Sequence, residues 1–211
     1  GTAGPRSRFH LVPASSWLTA ATEASRLMGN WPITRIPHAI DSHVFHPIDK
    51  SAARMKLGLE EHSPTVAFIA SAGIGDKRKG FDLLVDAMRQ VRLELPSVQI
   101  LIVGPIPNPG EVPLDLKSIS IGPVQGDESL AAAYSAADVL AVPSRQDNMP
   151  LTAMEAQSCG RPVVAFNIGG LSDIVNDERS GYLAPAGKSE EIATGIGQAI
   201  GDGRADGHWG N

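Results

Sequence analysis

The stretch Asp138–Val175, "DVLAVPSRQDNMPLTAMEAQSCGRPVVAFNIGGLSDIV", decides the fold. It contains two short apolar runs, "DVLAVPS" and "RPVVAF". Neither alternates cleanly between apolar and polar, so each reads as a strand buried on both faces. Between them lies a segment bounded by Pro150 and Gly160. Proline lacks the N–H that a helix start leaves unpaired anyway, and glycine tolerates the left-handed turn that ends a helix. The spacing predicts a helix beginning close to Pro150, capped by Asn148. Two buried strands joined by a helix form a right-handed crossover between parallel neighbours.

The same alternation extends in both directions. "TVAFIASA" (Thr65–Ala72) reads as a buried strand. The helix after it places Phe81, Leu84, Val85, Met88, Val91 and Leu95 on one face. "SVQILIVG" and "SISIG" are further strands, and "DESLAAAYSAA" is an alanine-rich helix with Asp127 as its expected N-cap. Downstream come a short helix in "GGLSDIVND", a strand in "SGYLAPA" and a last helix closing at Gly201 or Gly203. The prediction is a doubly wound, Rossmann-like α/β domain with a parallel sheet. Residues 49–203 are assigned to it. Residues 9–48 read differently: a strand, a turn and a helix in "FHLVPASSWLTAATEASRL", then a strand and a Pro-bounded connector in "ITRIPHAIDSHVFHPID". These residues are too few to make a second core. Residues 1–8 and 204–211 read as disordered ends, and the first ten residues do not read as a signal peptide.

Composition sets outer limits. The chain has 211 residues, 42% apolar and 19% charged, with a formal net charge of −5. That describes an ordinary globular chain and argues against general nucleic-acid binding through a basic surface. A single cysteine, Cys159, cannot form an internal disulfide and suits a reducing compartment. No apolar run approaches the ~20 residues needed to span a bilayer.

Ligands of open parallel sheets bind beyond the carboxyl ends of the strands. "SAGIGDKRKG", "GPIPNPG", "PSRQDNMP" and "NIGG" all fall at such ends. Asp147 lies in the loop ahead of the central helix. The backbone N–H groups of Leu151 and Thr152 carry the partial positive charge of a helix start and suit a phosphate. Glu155 lies one turn in, above Leu151, where its carboxylate can accept from a pair of sugar hydroxyls. Arg78 and Lys79 follow a glycine-rich turn and suit a diphosphate. Each has a plainer alternative: a helix-start acid, a half-buried carboxylate that needs a partner, a solvated basic turn. Two glycines in "NIGG" permit close backbone approach or form a plain tight turn. His38, His43 and His46 cluster in the connector but fit no standard zinc spacing. Ser15, Ser16 and Ser144 read as turn residues. Neither a dinucleotide fingerprint nor a P-loop is present.

Together these motifs resemble a known family. "RKGFDLL", "ILIVG", "AYSAADVLAVPS", "PSRQDNMPLTAMEAQSCGRPVVAFNIGGLSDIV" and "SGYLAPAG" match, in order and spacing, the C-terminal half of retaining GT-B-fold glycosyltransferases. This "group 1" family includes glycogen and sucrose synthases and many bacterial lipopolysaccharide and capsule transferases. The resemblance implies a donor-binding domain. Its catalytic residues would be Asp147, Lys79 and Glu155. Its nucleotide-sugar contacts would be Arg78, Lys79, Asn148, Met149, Pro150, Leu151, Thr152 and Glu155. Glu155 matches the acid that binds the ribose, Lys79 the lysine that binds the diphosphate, and Asp147 the acid, usually Glu, near the reacting carbon. The family's usual arginine a few residues before the lysine is absent, and Arg78 is its nearest substitute. His38-Ala39 stands where the interdomain connector usually has Asn-Gly. The resemblance further implies a UDP- or GDP-linked donor, no cofactor and no metal. It implies a glycan or lipid-linked acceptor reached through an N-terminal domain of which Phe9–Met28 would be the last part. Location would be cytoplasmic, with the inner membrane surface within reach. The chain would then be a fragment or a truncated product, inactive alone. Two alternatives stay open: a GT-B nucleotide-sugar epimerase, and a non-catalytic binding or interaction domain.

Overall fold

Six parallel strands run in the order β3-β2-β1-β4-β5-β6 in a computed structural model, which describes residues 9–107, 110, 112–113, 115–175 and 180–201. The strands are β1 (Thr65–Ile69), β2 (Gln99–Val103), β3 (Ser118–Gly122), β4 (Val139–Val142), β5 (Val163–Phe166) and β6 (Gly181–Ala184). The order reverses between β1 and β4, which places a topological switch point at the carboxyl ends of those two strands. This is the doubly wound architecture that the alternating buried strands and helices predict.

The side-chain period of two divides the core in half. Val66, Phe68, Ile100 and Ile102 face helices α3 (Phe81–Glu94) and α6 (Ser189–Gly201). Ala67, Leu101 and Val103 face α4 (Asp127–Ala136), α5 (Leu151–Ser158) and α2 (Lys50–Leu57). In α3, Phe81, Leu84, Val85, Met88 and Val91 are buried and Leu95 is partly buried, as their spacing predicts.

Helix α2 is not foreseen by the hydrophobic pattern. Asp49 caps it by accepting from the Ala52 N–H at 2.7 Å, and Gly58 ends it at φ +70°. Its buried face combines Ala53 with the charged Arg54, which hides it from a periodicity reading. The buried Arg54 guanidinium bonds Asp138 at 2.7 Å and the Ala136 carbonyl at 2.9 Å, while Lys50 also bonds Asp138. The Asp138 carboxylate also accepts from the Thr65 N–H at 2.6 Å. This network closes the amino ends of β1 and β4, opposite the switch point.

Three local expectations are corrected. Gly126, at φ +83°, precedes α4, and Asp127 is the first residue of the helix, where its charge favours the helix dipole. "GGLSDIVND" forms only a 3-10 turn, Leu171–Asp173, with 176–179 outside the described residues. The strands expected at the starts of "FHLVPASSWLTAATEASRL" and "ITRIPHAIDSHVFHPID" reduce to one parallel bridge, Leu11–Ile33, with α1 (Ser16–Glu23) between them. Two strands without a third make a marginal ladder. The expected disordered ends, 1–8 and 204–211, lie outside the described residues.

Candidate functional site

The switch point is built by close packing of loops. Gly80, at φ +71°, follows the 3-10 turn Lys77–Lys79. A Cβ there would lie 2.0 Å from the Pro143 carbonyl oxygen, so only glycine lets the basic turn sit flush on the end of β4. This brings Lys79 to the loop ahead of α5, where its ammonium bonds the Asp147 Oδ2 at 2.8 Å. The Ser144 hydroxyl donates to the same oxygen at 3.3 Å, and the Asn148 N–H to Oδ1 at 3.1 Å. Ser144 is therefore part of the site and not a plain turn residue.

The "NIGG" glycines complete this loop from below. Gly170 N–H donates to the Asn148 carbonyl at 2.6 Å. A Cβ on Gly169, at φ +53°, would lie 1.8 Å from the Asp147 carbonyl oxygen. The two glycines thus clamp the backbone of Asp147 and Asn148.

Helix α5 starts one residue after Pro150, and Pro150 makes no side-chain cap bond. The expected Asn148 cap is corrected: its Oδ1 instead accepts from the Ser15 hydroxyl at 2.5 Å. The first N–H groups of α5 therefore lack the side-chain acceptor that usually satisfies them, which leaves them available to an anion. Asn148 lines the cleft, whereas the Met149 side chain is buried and faces a separate hollow with Ile40, Met154 and Ile174. Pro150 is buried too. From Met149 and Pro150 only backbone can reach a ligand.

Two hollows meet at this helix start. The larger, about 870 Å³, is lined by Arg78, Lys79, Arg145, Asp147 and Asn148, together with Gln146, Asn167, Ile168, Gly169 and Trp17. The smaller, about 310 Å³, is mainly apolar, with Ile69, Val103, Pro105, Pro123, Val124 and Leu130 in its wall. Leu151, Thr152 and Glu155 form its α5 side. Lys79 and Thr152 both border the narrow space between the two.

Glu155 is only 9% exposed. Burial pushes its carboxyl above the usual carboxylate range, and the Tyr134 hydroxyl, donating to Oε2 at 2.7 Å, offsets part of that push. Tyr134 is the partner that a half-buried carboxylate requires. Its own hydroxyl is pushed up, by burial first and by the Glu155 charge second. Cys159 is buried, its thiol raised to about 11 by burial, which leaves it unreactive.

The other cations of the cleft are held by acids. Arg78 forks onto Asp76 at 2.8 and 3.1 Å with its side chain 69% exposed, and these bonds raise the arginine and lower the aspartate. Arg145 forks onto Asp82 at 2.8 and 2.7 Å, and its backbone N–H bonds the Arg78 carbonyl at 2.7 Å. Sequence reasoning missed Arg145, although it stands two residues before Asp147 in the decisive stretch.

Asp173 was missed as well. Burial alone would raise its carboxyl, but bonds from Ser16 and the charge of Arg35 outweigh burial and hold it low. It accepts from the Ser16 N–H at 2.6 Å and hydroxyl at 2.5 Å, and pairs with Arg35 at 3.2 Å. Ser15 caps α1 through the Leu18 N–H at 3.1 Å. Both serines are therefore joints between α1 and the sheet domain, not simple turn residues. His38, His43 and His46 are exposed, and no group of three His, Cys, Asp or Glu side chains could hold a metal among the described residues.

Comparison with known proteins follows the same outline. The pattern of the family "Glycosyl transferases group 1" matches residues 63–202. The chain belongs to the group 1 glycosyltransferases. A D-inositol 3-phosphate glycosyltransferase of Mycobacteroides abscessus is 40% identical over 172 residues, covering 76% of this chain and 37% of that protein. Sucrose-phosphate synthase from Thermosynechococcus elongatus superposes with a TM-score of 0.76 at 28% identity, covering 97% of this chain and 51% of that one. HepE from Anabaena, crystallised with UDP-glucose, shares the fold at a TM-score of 0.73 and 23% identity, covering 93% of this chain and 55% of that one. The glycosyltransferase chain thus spans little more than a third of its sequence relative and about half of the two solved structures. Its Rossmann-like sheet is one half of a GT-B fold. No helix among the described residues is long and apolar enough to cross a membrane.

Proposed function

We propose that this chain is the donor-binding half of a retaining glycosyltransferase that moves a hexose from a nucleoside diphosphate sugar to a glycan or lipid-linked acceptor. The observation that carries the reading is the meeting of an apolar hollow and a cationic cleft at an uncapped helix start, with Glu155 on one side and Lys79 on the other.

A nucleotide sugar has matching parts. The base lies in the smaller hollow among Pro105, Pro123, Val124 and Leu130, and the ribose hydroxyls donate to Glu155, which Tyr134 orients. The diphosphate meets the N–H groups of Leu151 and Thr152 and the Lys79 ammonium. The hexose enters the larger cleft beside Asp147. As the bond from the sugar to the diphosphate lengthens, negative charge grows on the leaving phosphate. Lys79 and the helix dipole stabilise it without reorganising at that moment. Positive charge grows on the sugar, where Asp147 answers it. Arg78 adds cationic field at the cleft mouth while forked to Asp76. Protein cations do this work in the reading, so it invokes no resident metal or cofactor.

The relatives' named donors and acceptors enter as expectations. HepE was crystallised with UDP-glucose, which favours UDP-glucose as the first donor, and UDP as the first nucleotide, to try. The reading expects the protein at the cytoplasmic side, and a lipid-linked acceptor would bring it to the membrane surface. The test is calorimetric titration with UDP and GDP, with Lys79→Ala and Glu155→Ala as controls. Saturable binding weakened by both substitutions supports the reading. Binding that ignores both favours an interaction domain that keeps the fold without the chemistry.

A further inference from the structure

The large cleft has a wall that the nucleotide chemistry leaves unused. Trp17 comes from α1, outside the residues that match the family. Trp17 is exposed, at 51%, and it lines the same hollow as Lys79, Asp147 and Asn148. The indole makes no ring contact or side-chain hydrogen bond among the described residues. It is held in place from the residues before it. Ser15 is tied to Asn148 and Ser16 to Asp173, so the first turn of α1 is pinned to the two loops that form the site. Other large apolar side chains of this segment, such as Phe9, Leu27 and Ile36, are also exposed but do not line the cleft.

An aromatic face opposite amides and charges suits one class of ligand. A pyranose ring presents an apolar C–H face and a rim of hydroxyls. The C–H face packs on the electron-rich face of an indole, while the hydroxyls bond to polar groups across the cleft. Gln146, Asn148 and Asn167 supply such groups.

We propose that Trp17 is a stacking platform for a pyranose ring in this cleft, and that it reads the sugar and not the nucleotide. The proposal rests on the donor reading above for which sugar arrives, but not for the platform itself. The shared chemistry is a pyranose, belonging either to the donor or to the acceptor.

The test uses the chain as it is, with Trp17→Ala and Trp17→Phe, and three calorimetric titrations: UDP, UDP-glucose, and glucose added to the UDP-saturated protein. UDP should bind all three proteins alike. Trp17→Ala should weaken UDP-glucose, or glucose in the UDP complex, about tenfold, and Trp17→Phe should recover most of that. Loss in the UDP-glucose titration assigns the donor sugar, and loss in the glucose titration the acceptor. Tryptophan emission should change on sugar binding and stay still in Trp17→Phe, which a purely structural role would not produce. Sugar affinities unchanged in Trp17→Ala overturn the proposal, as does an equal loss for UDP itself. Wild-type protein that ignores UDP but binds glucose through Trp17 would sink the donor reading and leave the platform standing.

Discussion

The pair between Lys79 and Asp147 makes an unusual demand on the nucleotide. Among the described cations that line the cleft Lys79 is the most sheltered, its side chain 30% exposed, and it bonds an aspartate that is 13% exposed at 2.8 Å. At an effective dielectric of about 20 the gross attraction is roughly 6 kcal/mol. Desolvation and side-chain ordering offset most of it, leaving a net of about 1–2 kcal/mol for a half-sheltered pair. A diphosphate that recruits Lys79 must overcome that and must also approach the Asp147 charge. Asp147→Asn removes both obstacles and keeps the shape. UDP should therefore bind Asp147→Asn more tightly, by about five- to thirtyfold. Lys79→Ala acts in the opposite direction, because a lost bond to a charged group costs about 1.5–3 kcal/mol, or roughly ten- to a hundredfold in affinity. The two substitutions should not add, since each removes the other's partner. Calorimetry of the wild type, both single variants and the double variant at low and high salt measures the cycle. The gain in Asp147→Asn should shrink at high salt. UDP affinity that is unchanged or weaker in Asp147→Asn would refute the competition, and Asp147 would then be a direct ligand of the nucleotide.

Three further outcomes follow from other parts of the molecule. The Glu155 carboxyl is raised in the folded state, so the stability it contributes is full below its unfolded value and is lost as pH rises through the folded one. Glu155→Gln should therefore match the wild type near pH 4 and melt higher near pH 7, while binding UDP about tenfold less well; thermal melts across that range whose difference stays flat would count against it. Asp138→Ala strands the buried Arg54 and should cost about 3–5 kcal/mol in urea unfolding, yet leave the UDP affinity of the folded protein unchanged, because that network sits at the amino ends of the strands. Asp173→Ala releases Ser16 and Arg35 together. Amide exchange across 16–23 should speed up by about tenfold or more, with the sheet helices unaffected.

The sheet and the helix faces were legible because they rest on period. Unbroken apolar runs such as "ILIV" have nowhere to go but a doubly covered sheet, and Phe81, Leu84, Val85, Met88 and Val91 fall on one face of α3 whatever surrounds them. Helix α2 was not legible, since one of its two buried residues is an arginine whose partner lies 84 positions away. Capping carries the same lesson. Asn148 before a proline-led helix is a sound cap by local rules, but Ser15, 133 positions earlier, takes its side-chain oxygen. The roles of Arg145 and Asp173 were hidden for a different reason. An arginine or aspartate in a loop has many solvated fates, and only tertiary packing chooses among them. Glycines were the better guides: the "GG" after β5 and the glycine after Lys79 mark the two places where backbone meets backbone around the candidate site.

The three cation–acid pairs around the cleft are not equivalent, and the difference bears on how a donor-binding site could also be a catalytic one. Arg78 is 69% exposed although its partner Asp76 is sheltered, and both members of Arg145–Asp82 are exposed, so both arginines are screened by solvent and yield readily to a stronger anion. Of these three, only Lys79–Asp147 has both side chains sheltered, and only its acid belongs to the loop that faces the proposed hexose. On the proposed reading, a diphosphate that draws Lys79 away leaves Asp147 uncovered beside the carbon where positive charge will grow. Binding at one end of the donor would then release an electrostatic partner at the other. Such an interaction is weaker with the bound donor than in the transition state, which is the condition for raising the rate and not merely the affinity. The aspartate in place of the family's usual glutamate fits this arrangement. Its shorter side chain keeps the carboxylate close to its own backbone, within reach of Lys79, Ser144 and the Asn148 N–H at once.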